Sequence, residues 1–171
     1  MEFNRFAGEY RRIHSKNTKL TGAGRDYFSE HKVCEMKKQL KGCALNRILA
    51  LGCGDADSTV FLKKYFQAPE VHGLDPSRQS IEAAKARRLS GWHFIEGKAE
   101  NGPSFPDGYF DLVFVSCVMH HSDNEQHPGI LKELARVCGE KSSLFIFEHN
   151  PRNPVTRLFV KNASLMRTLS L

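Results

Sequence analysis

Two groups of residues in this chain have types and spacings suited to chemistry: a glycine turn with a carboxylate set at a distance from it, and histidines that follow apolar runs. The stretch Asn46–Leu62 reads NRILALGCGDADSTVFL. An apolar run enters Gly52-Cys53-Gly54 directly and a helical pattern follows. Glycines allow backbone angles closed to other residues and let a ligand lie against the main chain, while the next helix presents unpaired N–H groups. In VHGLDPS, Asp75 closes a second apolar run 21 residues after Gly54. If the two runs are neighbouring parallel strands, their carboxyl ends meet and Asp75 can accept hydrogen bonds from both hydroxyls of a ribose. Taken together, turn and carboxylate point to an adenosine-containing ligand. Taken singly, the turn is also an ordinary strand-to-helix connection, and Asp75 also a turn former or helix cap.

The ligand class can be narrowed. A dinucleotide fingerprint, G-x-G-x-x-G, requires a third glycine at the position that Asp57 occupies, and a carboxylate there repels a pyrophosphate. A cofactor without phosphates meets no such repulsion. His120 and His121 follow a later apolar run and His149 follows the last one, which sets all three at one edge of the expected sheet. An imidazole there can take a proton from an acceptor. Glu148 and Asn150, in FEHNPRNPVTR, can hydrogen-bond a polar acceptor or simply shape the loop before Pro151.

These groups need a scaffold, and the sequence indicates one. Apolar runs at Ile48–Leu51, Val71–Leu74, Trp92–Ile95, Tyr109–Val115 and Leu144–Phe147 read as strands. Helical patterns at Ser58–Phe66, Arg78–Arg88 and Glu125–Val137 lie between them. The alternation predicts an α/β, doubly wound, mostly parallel sheet covered on both faces. Ser77 suits the N-cap of the helix after Asp75 and Pro76. Ahead of the sheet, residues 1–46 read as an N-terminal lid or flanking segment, with a helix from Arg25 to Leu40 whose apolar face is Phe28, Val33, Met36 and Leu40.

A length of 171 residues, 40% hydrophobic and 26% charged, fits one domain with a sizeable core and excludes a disordered tail or a disulfide miniprotein. Five cysteines without a C-x-x-C pair, and no apolar run of signal-peptide or membrane-span length, predict a cytoplasmic protein. Net charge is +6, yet Arg11-Arg12, Lys37-Lys38, Lys63-Lys64 and Arg87-Arg88 fall on separate elements without interleaved aromatics. They read as solvated faces, so a nucleic-acid partner is not expected. No metal site is expected either, because His120, His121 and His127 lack a helix-face carboxylate at ligand spacing. Cys53 reads as a packed small residue rather than a reactive thiol.

Across about Arg47 to Glu148 the sequence resembles the class I S-adenosylmethionine-dependent methyltransferases that act on small molecules. ILALGCG is similar to the family's first motif and GLDPS to the end of its second strand. GKAENGPSFPDGYFDLVFVSCVMHH is similar to its adenine loop and fourth strand, and LKELARVCGEKSSLFIFEH to the helix and fifth strand. The resemblance implies S-adenosylmethionine as methyl donor. It puts the methionine part near Gly52, Cys53 and Gly54, the ribose on Asp75, and the adenine between Pro76, Ser77 and the loop Lys98-Ala99-Glu100. Val118, Met119 and His120 would lie beside the transferable methyl. Three positions depart from the pattern: Ala50 replaces an acidic residue, Ala56 a glycine, and Lys98 an aspartate, and lysine can only donate.

The implied function is methyl transfer to an oxygen, less readily a nitrogen, of a small metabolite, with His120, His121 or His149 as base. The alternative is a truncated or degenerate relative without activity. The family's fold has seven strands where five are legible here. Residues 47–150 therefore read as the methyltransferase domain with its last two strands missing, and 151–171 as a truncated or frameshifted tail. An uncovered fifth strand would leave an apolar edge open to a partner or to self-association.

Overall fold

The computed structural model describes residues 25–98, 104–148 and 152. Within them the chain forms α1 (Arg25–Gln39), β1 (Arg47–Leu51), α2 (Thr59–Phe66), β2 (Glu70–Asp75), α3 (Arg78–Ala86), β3 (Trp92–Glu96), β4 (Phe110–Ser116), α4 (His127–Val137) and β5 (Cys138–Phe147). The five strands pair in parallel in the order β3-β2-β1-β4-β5. The expected α/β doubly wound sheet is what the chain forms. Every pair of consecutive parallel strands needs a crossover, and the helices supply those that flank β1, β2 and β5.

Strand residues alternate between the two faces, and each face has its own core. Ile48, Ala50, Val71, Phe94, Leu112 and Phe114 point toward α1, α2 and α3 and join Val33, Met36, Leu62 and Ile81. Leu49, Leu51, Leu74, Val113 and Val115 point the other way and meet Ile130, Leu134 and Val137 of α4. Ser77 caps α3, accepting from the Ser80 N–H at 3.2 Å. Gln126 and Asp123 close a capping box on the short 3-10 turn that leads into α4.

Four of the five expected strands lie within one residue of their observed ends; β5 differs. It starts at Cys138, straight out of α4 and six residues ahead of the expected Leu144. Phe110 pairs with Cys138 but Leu112 pairs with Ser143, so Gly139–Ser142 bulge opposite a single residue of β4. Bare main chain makes this possible, since Gly108 and Gly139 approach so closely that a Cβ on Gly139 would stand 3.2 Å from Gly108 Cα.

The expected apolar face of α1 needs one correction. Val33, Met36 and Leu40 are buried, but Phe28 is 40% exposed, with its ring edge-on to that of Tyr27 at 5.5 Å. Polar contacts tie α1 to α2: Glu30 accepts from Lys64 and from Tyr65 Oη, both at 2.7 Å. The basic pairs inside the described residues are engaged locally, Lys38 with Glu35, Lys64 with Glu30 and Arg87 with Asp57. No helix of the described residues is long and apolar enough to cross a membrane. The expected tail, apart from Arg152, lies outside the described residues.

If α1 is held by its buried stripe, Met36→Ala should lower stability by about 2–5 kcal/mol, the usual cost of emptying a core methionine site. Phe28→Ala should cost under about 1 kcal/mol. Urea unfolding of the two variants separates them, and equal losses would show that the helix docks differently.

Candidate active site

The glycine turn, Asp75 and the segment after β4 converge at the carboxyl ends of β1, β2 and β4. Gly52 N–H and Cys53 N–H both donate to Leu74 O, at 2.8 and 3.2 Å, which draws the turn onto β2. Gly52 has φ +71°, and a Cβ there would stand 2.4 Å from Val118 Cγ2 and 3.1 Å from Ser116 O. Only glycine lets the turn pack against the chain leaving β4. Gly54, at φ +53°, differs: a Cβ built on it meets nothing within 4 Å. Open space therefore lies over the main chain at this point.

Asp75 borders that space and ties two turns together. Gly54 N–H donates to its Oδ2 at 2.9 Å and Ser77 N–H to its Oδ1 at 2.9 Å. Both readings of this residue are thus compatible, since it forms the turn and each oxygen keeps a lone pair for a ligand. Burial raises the Asp75 carboxyl above the ordinary aspartate range; the Ser77 and Gly54 N–H groups work against that and Asp55 adds to it. Cys53 is buried, and burial followed by the nearby Asp75 pushes its thiol upward, so it packs and does not attack. Ala56 adopts φ +70° while fully buried, a left-handed conformation that glycine would hold at lower cost. Asp57, where a dinucleotide fingerprint has glycine, is ion-paired with Arg87. Ala50 is fully buried, so a carboxylate introduced there would be stripped of water.

On the β4 side, Glu148 clips the segment that carries the histidines. Its Oε1 accepts from Val118 N–H and Met119 N–H, both at 2.8 Å, and its Oε2 lies 2.8 Å from His120 Nδ1. Burial alone would raise the Glu148 carboxyl; the bonds from His120, Met119 and Val118 outweigh it and hold the group below the usual carboxylate range. Proton-donating Nδ1 of His120 faces that carboxylate, leaving Nε2 as the lone-pair nitrogen of the neutral ring. The His121 ring lies 4.0 Å from that of His120, centroid to centroid. His127 instead reaches Met119 O at 2.9 Å and braces the turn.

Gly52, Cys53, Gly54, Asp75, Pro76, Ser77, Val118, Met119, His120 and His121 are thus gathered around the carboxyl edge. Lys98 is exposed at the end of β3. Ala99, Glu100, His149 and Asn150 lie outside the described residues. Glu148 was legible as a hydrogen-bonding residue for an acceptor or as a shaper of the loop before Pro151, but not as the clip on Val118, Met119 and His120, which depends on β4–β5 pairing. Lys32 of α1 donates from Nζ to Ser116 Oγ at 2.7 Å across 84 residues of sequence, and no local pattern signals that.

The family profile of the methyltransferase domain matches residues 48–141. The trans-aconitate 2-methyltransferase of Rhizobium rhizogenes is 34% identical over 80 residues, covering 47% of this chain and 30% of that protein. The malonyl-[acyl-carrier protein] O-methyltransferase of Legionella pneumophila is 29% identical over 153 residues, covering 87% of this chain and 49% of that protein. The chain thus spans less than half the length of these curated relatives. Among solved structures, the plantazolicin methyltransferase BpumL, in complex with S-adenosylhomocysteine, superposes with a TM-score of 0.68 at 16% identity, covering 90% of this chain and 62% of that one. With the profile matched over more than half of its length, and the five-stranded sheet and glycine turn in place, the chain belongs to the class I S-adenosylmethionine-dependent methyltransferase-domain family.

Proposed function

We propose that this chain transfers a methyl group from S-adenosylmethionine to an oxygen of a small metabolite, with nitrogen the less suited acceptor, in the cytosol. The observation that carries the reading is the Glu148–His120 pair beside the glycine turn. The open space over Gly54, bordered by the Asp75 carboxylate, fits an uncharged ribose better than a phosphate. Free thiols on all five cysteines fit a reducing compartment.

When bound, the donor supplies a methyl activated on a sulfonium. The chain's own work is to hold, align and deprotonate. Asp75 accepts from the ribose hydroxyls. Gly52, Cys53 and Gly54 give the donor's methionine end a close-lying main chain, and Pro76, Ser77 and the Lys98-Ala99-Glu100 loop flank the adenine. Val118 and Met119 line the methyl position. Glu148 orients His120, whose Nε2 takes the proton of an acceptor hydroxyl; His121 and His149 are the other bases within the same edge. The two curated relatives act, by their names, on compounds that bear carboxylates, and a carboxylate oxygen needs no base. The apolar residues Leu144 and Ile146, 37% and 41% exposed on the edge strand β5, support a second copy or partner covering that edge.

S-adenosylhomocysteine binding, followed by calorimetry, tests the donor site. Asp75→Ala should weaken binding about 10- to 100-fold, the loss of hydrogen bonds to a charged acceptor. Because protonation removes acceptor capacity, wild-type affinity should fall on acidification, and at a higher pH than an ordinary aspartate would give. Wild-type binding in Asp75→Ala would reduce Asp75 to a turn residue, and no binding by the wild type would favour the inactive relative.

Once an acceptor is found by labelled-methyl uptake from metabolite extracts, His120→Ala should lower its turnover about 10²–10⁴-fold. Glu148→Gln should cost less. A loss below tenfold in His120→Ala would point to a carboxylate acceptor.

Sedimentation of the wild type should show concentration-dependent self-association that Leu144→Lys with Ile146→Lys abolishes. A wild type that stays monomeric at every concentration would mean the edge is tolerated bare.

A further inference from the structure

We propose that Glu70, His72 and His93 form a binding site for a divalent transition-metal ion such as Zn²⁺. The site follows from strand pairing. Glu70 and His72, two apart on β2, share a face, and parallel register sets His72 directly opposite His93 of β3. One donor atom from each of the three lies within 4.8 Å of the others. Glu70 Oε1 is 2.6 Å from His72 Nε2, and the two imidazoles stack at 4.8 Å between centroids with 25° between planes.

Two imidazoles and a carboxylate are an established zinc ligand set that leaves a fourth position open. A tetrahedral ion with bonds of about 2.0–2.2 Å sets its ligand atoms roughly 3.3 Å apart. Glu70 and His72 would therefore part slightly, and His93, which is exposed and sits on the edge strand, would swing inward.

A second observation concerns His72. The residue is only 8% exposed, and its Nδ1 has no hydrogen-bond partner among the described residues. A buried imidazole left with one unpaired nitrogen is costly. The rings of Phe105 and Phe110 lie at 5.3 and 5.4 Å from it, and the Arg47 guanidinium, over the Tyr109 ring at 4.3 Å, is the nearby cation that an ion bound here would have to share space with. Tyr109 Oη donates to Glu70 Oε1 at 3.3 Å, an outer hydrogen bond of the kind that steadies a metal-binding carboxylate. Both histidines line a cavity of about 460 Å³ at the β3 edge, which gives an ion access and room for water.

The position separates this site from methyl transfer. Glu70 begins β2 and Asp75 ends it, roughly 16 Å apart at the usual strand rise. An ion here pins β3, the edge strand, to β2, and acts on stability.

The test uses the whole chain, stripped of metal by chelation and titrated with Zn²⁺. One Zn²⁺ should remain per chain after gel filtration, with a higher melting temperature. His93→Ala and Glu70→Gln should each weaken binding at least tenfold. His93→Gln, which keeps the side chain's size, serves if the alanine variant unfolds. Co²⁺ in place of Zn²⁺ should give visible d–d bands without the ultraviolet band of thiolate ligation. The proposal is overturned if the wild type retains no stoichiometric Zn²⁺, if binding persists undiminished in the His93 and Glu70 variants, or if it vanishes instead in His120→Ala.

Discussion

The Asp75 carboxylate is the tie on which the site depends. One oxygen takes the Gly54 N–H and the other the Ser77 N–H, so a single side chain fixes the turn after β1 and the start of α3. The arrangement exists because β1 and β2 are parallel neighbours in which Leu51, the last residue of β1, pairs with Leu74, one residue before Asp75. On the other side of β1, Gly52 rests against Ser116 O and Val118, which leaves no room for a side chain. Turn, carboxylate and the segment bearing His120 are therefore positioned by one strand and its two partners.

The electrostatics of the two carboxylates run in opposite directions. Asp75 is raised by burial, while Glu148 is held low by three donors that overcome its own desolvation. A carboxylate kept uncomfortable by burial gains most from ligand hydroxyls, and one already saturated with donors serves better as a fixed support. That division is what the proposed roles require, binding for the first and positioning for the second.

Much of this was legible in the sequence because it is local. ILALGCG, GLDPS and the apolar runs each declare a strand end, and the Ser77 cap sits where its residue type suggested. What stayed hidden is set by pairing between distant segments. Glu148 reaches Val118 through a β5 that shifts register against β4, and that shift comes from four residues outside the apolar run Leu144–Phe147. Phe28 carried the right period but stays 40% exposed, because period alone does not say how far along a helix its neighbours reach. Glu70, His72 and His93 form no motif along the chain, since the third residue arrives through the β2–β3 ladder. Lys32 meets Ser116 for the same kind of reason.

The four-residue bulge Gly139–Ser142 separates two tasks within one strand. Cys138 continues α4 without an intervening loop, and Ser143–Phe147 hold the registered pairing that delivers Glu148 to its donors. Residues added or removed between them would change the bulge and leave both flanks in place. The bulge thus works as a spacer of adjustable length, and the chain can tolerate variation there without moving the carboxylate that orients His120.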